Sequence, residues 1–364
     1  MAKVAVYWDQ IGQIEKHGYG RNGRFLENQE RIRRNRGLNG FMQSSTTPEL
    51  TQFAEDVLRG LTSTPKSLSS KYFYDDEGSR LFQEIMRLPE YYLTGCELEI
   101  FEKQTDEIFR AFANGENAFD LIELGAGDGS KTAVLVDHFL KCNADISYSP
   151  IDISQEALDE LSSKFAAEFP SLNFEPRRGD YFKILKSLKN GDKRRKVLMF
   201  LGSNIGNFSR DQAVDFFKQL RGVMNDNDLL FVGFDLQKDP HVIVRAYDDE
   251  QGVTARFNLN LLTRINRELG GNFDIDKFCH YAIYRPVECS ARSFLISKEK
   301  QIVRIDALHR DFEFGQWEAV FMEISQKYSP AMIEEMAASS GFEIKENFCD
   351  SKNYYCDSLW RPCR

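Results

Sequence analysis

The stretch Glu123-Leu124-Gly125-Ala126-Gly127-Asp128-Gly129 follows an apolar run, Phe119 to Leu124, and leads into a helical pattern from Lys131 to Leu140. Glycine at alternate positions permits a tight turn and lets a ligand approach bare backbone. The spacing is G-x-G-x-G rather than G-x-G-x-x-G, so a dinucleotide's pyrophosphate is not expected on the helix. A carboxylate placed ahead of the turn, Glu123, suits a ligand with cationic groups. The plainer reading is a strand-to-helix turn whose glycines serve packing. Asp152 closes the next apolar run, Ile146 to Ile153, where an acid can accept both hydroxyls of a ribose. Capping the following helix is its other possible task, but Ser154 already fills that role. Asp180 and Tyr181 stand after a third run. Asp180 could accept from an adenine amine with Tyr181 packed beside it, and a simple turn accounts for the pair almost as well.

S-adenosyl-L-methionine meets these demands, because its methionine part carries both an ammonium and a sulfonium. Leu201-Gly202-Ser203-Asn204-Ile205-Gly206-Asn207 follows another apolar run. Ligands of open parallel sheets bind beyond the carboxyl ends of the strands. The small residues from Gly202 onward suit a polar pocket there, and Asn207 could bind an amine or a carboxylate. Asn and Gly are equally common turn formers. Arg245 to Asp249 and Phe321 to Ser325 are weaker signals. Their acids read as solvated or capping groups, and Tyr247 reads as amphipathic core.

Strands are expected at Phe119–Leu124, Ile146–Ile153, Leu172–Glu175, Lys196–Leu201 and Asp228–Phe234, alternating with helices at Lys131–Leu140, Gln155–Phe169 and Arg210–Met224. That rhythm predicts an α/β fold, a Rossmann-like doubly wound sheet with helices on both faces. Ahead of it, the pattern predicts a helix after Pro48, a turn over Asp75–Gly78 with Ser79 capping the next helix, and one helix over Glu97–Phe112. Beyond Asp235, residues 239–282 read as mainly helical. Glu288–Ser297 and Gln301–Ile305 read as a hairpin. Ser329 caps a helix that ends at Gly341, and a β region opens at Phe342. The layout implied is an N-terminal extension (1–43) and a second, α+β substrate-binding domain (44–95 with 238–327). These flank a cofactor-binding domain (96–237 with 328–364).

The chain has 364 residues, 42% apolar, with 29 Phe and 14 Tyr, which is ample for a large core. A net charge of −9 disfavours phosphate-driven nucleic-acid binding. The Arg-rich segment Arg31 to Arg36 is the local exception and reads as a solvated extension, with one short helix over Phe25–Arg34. No run approaches about 18 to 20 apolar residues, so no membrane span is expected. Seven scattered cysteines with no CxxC pair read as reduced thiols in a cytoplasmic protein. Five dispersed histidines give no metal spacing. A small-molecule partner and a monomeric state are expected.

Long ordered motifs carry a family resemblance. They include Lys71-Tyr72-Phe73-Tyr74-Asp75, Leu88-Pro89-Glu90-Tyr91-Tyr92, the glycine loop, Gly202 to Asn207, Asp235 to Asp249, Ile265 to Leu269 and Glu323 to Tyr328. From about residue 45 to the end, the chain resembles the histidine-specific Nα-methyltransferases of ergothioneine biosynthesis. The resemblance implies a two-domain enzyme that places three methyl groups from S-adenosylmethionine on the α-amine of L-histidine, giving hercynine. It implies that Tyr91, Asn207 and Tyr247 bind the amine and carboxylate. Glu323 and Ser325 would sit at the imidazole, and Tyr74 and Gly202 would line the pocket. Glu123, Gly125, Gly127, Lys131, Asp152, Asp180 and Tyr181 would hold the cofactor. One departure stands out. The family has Ile-Glu-Met, with the methionine against the imidazole, where this chain has Val287-Glu288-Cys289. A smaller Cys289 would widen the pocket and could admit a different, larger amino acid.

Overall fold

A computed structural model describes residues 48–189 and 194–363. The expected N-terminal extension and its short helix lie outside the described residues. The centre is an eight-stranded sheet in the order β12-β13-β6-β5-β1-β2-β3, with β4 also pairing β2. Its parallel part comprises β1 (Ala118–Leu124), β2 (Asp145–Asp152), the two-residue β3 (Asn173–Phe174) and β4 (Arg177–Arg178), β5 (Arg195–Phe200) and β6 (Leu229–Asp235). The antiparallel edge is β12 (Phe342–Cys349) and β13 (Tyr355–Pro362), with β13 against β6. This is the Rossmann-like arrangement expected.

Helices on both faces turn the inner strands into continuous apolar runs; every residue of β6 is buried. Side chains alternate between the two faces. Phe231 packs with Phe101 and Phe112 on one face, while Phe234 stacks on Trp360 on the other. Burying each such ring contributes about 1.5–3 kcal/mol. Successive strands run from β1 outward to β3 and then return to β5 and β6. The order therefore reverses between β1 and β5, and the crevice beyond their carboxyl ends is where such sheets bind ligands.

Four expectations need correction. The helix Asp76–Ile85 starts three residues before Ser79, because the Asp75 carboxylate accepts the amide of Gly78 at 2.8 Å and acts as the cap. The single helix over 97–112 is two, Tyr92–Lys103 and Thr105–Ala113. The break falls at Gln104, whose side chain donates to the Cys349 carbonyl at 2.8 Å. Residues 239–282 hold the helices Pro240–Tyr247 and Val253–Leu269, but Phe278–Arg285 is a strand, β7. Finally, β8 (Ser290–Ser297) does not pair with β9 (Gln301–Ile305). It lies between β7 and β11 (Ala319–Gln326), and β9 pairs with β10 (Arg310–Phe314). The β7–β8 and β9–β10 pairs are short hairpins, whereas β8 also pairs with β11 across two intervening strands, which local patterning does not report. Ser329 does cap the helix Pro330–Ser339, accepting from Met332 N at 3.2 Å.

Candidate active site

The glycine loop sits at the reversal point, between the end of β1 and the helix Ser130–Lys141. Gly129 has φ +65°, and a Cβ on it would stand 2.4 Å from Leu161 and 2.7 Å from Phe165. This glycine serves packing, letting the helix start lie tight against the helix Gln155–Glu168. Gly127 also has a positive φ, but a Cβ there would meet nothing within 4 Å. It leaves bare backbone facing a cleft of about 1410 Å³ that Glu123, Gly125, Lys131, Asp152 and Gly202 also line. The packing role thus falls to Gly129, while Gly127 lines the cleft.

Glu123 is buried, and its Oε2 accepts from Tyr148 at 2.6 Å and Thr132 at 2.7 Å. Burial pushes its carboxyl up to about 7 against those hydrogen bonds. Asp152 is 2% exposed and accepts the Ser154 amide at 2.8 Å, while Ser154 itself caps the next helix. Asp180 accepts from Lys183 N at 3.0 Å at the start of the helix Tyr181–Lys189 and does not line the cleft. The turn reading accounts for it. Tyr181 is buried with an unpartnered hydroxyl, and the acids facing it include Asp152 and Glu123. Like Asp180, Tyr181 does not line the cleft; its hydroxyl is buried near Asp152 and Glu123, which do.

Lys131 extends from the first turn of its helix to Glu97, a residue that sequence reading left unassigned. Glu97 is fully buried and also accepts from Gly202 N and Tyr355 OH, each at 2.8 Å. Its signal is an acid inside the apolar stripe Leu93, Cys96, Ile100 of the helix Tyr92–Lys103. A charge placed there must find a buried partner.

A second, smaller pocket gathers Tyr74, Tyr91, Asn207, Tyr247, Glu323 and Ser325. It shares Tyr74, Phe82, Tyr91, Leu93 and Gly202 with the glycine-loop cleft, so the two spaces adjoin. Asn207 ends a single 3-10 turn, Asn204–Asn207, after two consecutive left-handed residues, Gly202 and Ser203. Gly206 lets that turn close on β11: a Cβ there would be 3.1 Å from the Gln326 carbonyl and 3.4 Å from Ser325 Oγ. The pairing of β11 with β8 shifts register between Phe321 and Glu323, and such bulges re-aim side chains near sites. Burial pushes the Glu323 carboxyl up to about 7, with Lys327 opposing. Burial likewise holds Tyr74, Tyr91 and Tyr247 as neutral hydroxyls. Tyr247 OH donates to Ser325 Oγ at 2.7 Å. Cys289 lines neither space. Its thiol turns to the Pro286 carbonyl at 3.3 Å, and its residue adopts φ +52° in the turn between β7 and β8. The expected widening of the pocket at this position is not found.

Residues 53–362 match the sequence pattern of the histidine-specific, S-adenosylmethionine-dependent methyltransferases. This chain belongs to that family. The histidine N-alpha-methyltransferase of Mycobacterium tuberculosis (strain CDC 1551 / Oshkosh) is 38% identical over 286 residues, covering 79% of this chain and 87% of that protein. Ergothioneine biosynthesis protein 1 of Schizosaccharomyces pombe is 28% identical over 77% of this chain, but over only 37% of its own length. The 4-dimethylallyltryptophan N-methyltransferase easF of Claviceps fusiformis is 30% identical across 53% of this chain and 56% of that protein. The methyltransferase is thus an S-adenosylmethionine-dependent enzyme with a Rossmann-like core. No helix among its described residues is long and apolar enough to cross a membrane.

Proposed function

We propose that this methyltransferase adds three methyl groups to the α-amine of L-histidine, giving hercynine. The observation that carries the reading is the junction of the two spaces. The amide of Asn207, the hydroxyls of Tyr91 and Tyr247 and the Glu323 carboxyl converge on a pocket that opens into the glycine-loop cleft through Tyr74, Tyr91 and Gly202. The mycobacterial and yeast relatives support histidine and the ergothioneine route by their names.

S-adenosylmethionine supplies an electrophilic methyl on its sulfonium. Gly125, Gly127 and Lys131 would hold it with Glu123 and Asp152; Asp180 would act through the helix it caps. The α-amine has an ordinary pKa of about 7.7–8.0, so a useful neutral fraction exists near neutrality without a strong base. Tyr91 and Asn207 orient its lone pair toward the cleft, and Tyr247 donates to the carboxylate. Glu323 and Ser325 fix the imidazole, with Glu323 accepting an N–H. The Phe82 and Phe257 rings, with Tyr74 edge-on between them, exclude water. Alignment in a dry pocket supplies much of the barrier reduction. We further read residues 96–237 with 328–364 as the cofactor unit and 44–95 with 238–327 as the substrate unit, in a monomeric cytoplasmic enzyme.

The test is turnover of L-histidine with methyl-labelled cofactor, followed by mass for one, two and three additions. Turnover of another amino acid with no addition to histidine would defeat the reading. Because Cys289 stands off the pocket, histidine is preferred over a larger side chain.

A further inference from the structure

Lys327 lies fully buried behind the pocket wall formed by Tyr247 and Ser325. Its Nζ donates to Asp235 Oδ2 at 2.6 Å, Tyr247 OH at 2.7 Å and Ser325 Oγ at 2.8 Å. An ammonium has three N–H donors, so all three are placed. Asp235, also fully buried, pairs through Oδ1 with Lys238 and accepts from Tyr92 OH at 2.9 Å. Two ammonium groups share one carboxylate, and neither forms another ion pair among the described residues. Burial lowers the pKa of both ammonium groups, repulsion from Lys327 adds to this at Lys238, and Asp235 opposes the shift. While both stay protonated the cluster carries one positive charge in excess, in a low-dielectric setting where a charge acts strongly on its neighbours.

The geometry also decides what the hydroxyls can do. Tyr247 gives its hydrogen to Ser325 Oγ. Ser325 Oγ is at the same time supplied by Lys327. Tyr247 can consequently turn its hydrogen to a ligand without leaving Ser325 unpartnered, and Lys327 polarises it from behind as it does so. An anionic group is what such a donor favours.

We propose that Lys327 is a positioning residue that makes the pocket select substrates bearing a free carboxylate, by holding Tyr247 as a donor and setting the cluster's excess charge behind it. The inference rests on the amino-acid reading of the pocket. The other ionisable side chain facing Lys327 is Glu323. That carboxyl belongs to the opposite requirement, the side chain's N–H.

The experiment compares L-histidine with L-histidinamide, which keeps the imidazole and α-amine but replaces the carboxylate with a neutral amide. Wild-type enzyme, Lys327→Met and Lys327→Gln are assayed for kcat/KM, and cofactor affinity is measured by calorimetry. The wild type should prefer the acid by about 100-fold or more. Both variants should lose about tenfold or more of that preference. The loss should appear as a higher KM for histidine, with cofactor Kd within about twofold of wild type. Lys327→Gln retains hydrogen-bond donors, so it carries the test if the methionine variant does not fold. A wild-type enzyme indifferent to the carboxylate would overturn the proposal. So would variants that keep the wild-type preference, or that lose acid, amide and cofactor together. If the wild type methylates a different amino acid, the functional reading fails, and the same ratio on that acid and its amide still decides the role of Lys327.

Discussion

The Glu97 carboxylate accepts the backbone amide of Gly202 at 2.8 Å, tying the helix Tyr92–Lys103 to the loop after β5. Its second oxygen pairs with Lys131 at the start of the glycine-loop helix. One buried acid thus ties together the two loops that bound the glycine-loop cleft.

Removing it should loosen both. Glu97→Ala leaves a buried amide and an ammonium without their acceptor, at a cost of about 2–3 kcal/mol in chemical denaturation. Cofactor Kd should rise by about tenfold or more. Glu97→Gln keeps an acceptor for Gly202 and should lose less on both measures. Equal effects of the two variants would argue against this linkage.

Asp152 tests the ribose assignment separately. It is 2% exposed, lines the cleft and accepts the Ser154 amide at 2.8 Å. Asp152→Ala is expected to raise cofactor Kd by about 30-fold while histidine KM at saturating cofactor changes little. Unchanged cofactor affinity in calorimetry would remove Asp152 from the site.

The two loop glycines should separate stability from binding. Gly129→Ala drives a Cβ to within 2.4 Å of Leu161 at a positive φ, and should cost about 2–4 kcal/mol in unfolding free energy. Gly127→Ala has open space around it and should cost about 1–2 kcal/mol. It should nevertheless be the more damaging change to cofactor Kd in the folded enzyme, because its methyl enters the cleft.

Glu323 predicts a signature in pH. Its folded carboxyl titrates near 7 rather than at the ordinary 4.5. Below about 7 it is protonated and loses the charge that strengthens its bond from the imidazole N–H, so kcat/KM for histidine should fall as pH drops through that value. Glu323→Gln should lose that inflection and keep the one belonging to the α-amine. The stability effect follows from the same shift. A raised carboxyl binds its proton more tightly folded than unfolded, so its stabilisation is present below the unfolded value and is lost as pH rises through about 7. The glutamine variant should therefore gain a few degrees in Tm over wild type between about pH 5 and pH 8. A constant difference in Tm across that range would contradict the raised value.

The alternation of strands and helices, the glycine loop, Asp152 and the Gly202–Asn207 turn were legible from the sequence alone. Each depends on neighbours a few residues away: a period of two along a buried strand, a cap, a turn that needs glycine. The long motifs identified the family in the same way. Tyr247 and Glu323 were legible as members of the pocket only through that resemblance, since a tyrosine on an amphipathic helix and an acid on a strand look ordinary by themselves. Glu97, Asp235 and Lys327 acquire their meaning only in the folded protein. A buried charge is defined by the partner that offsets it, and those partners come from segments far along the chain. The same reason governs the pairing of β8 with β11, which are separated by two intervening strands. It also governs Cys289, which the family resemblance put against the imidazole and whose thiol turns to the Pro286 carbonyl. The local chain decided where the glycine loop lies; tertiary packing decided which buried charges stand behind it.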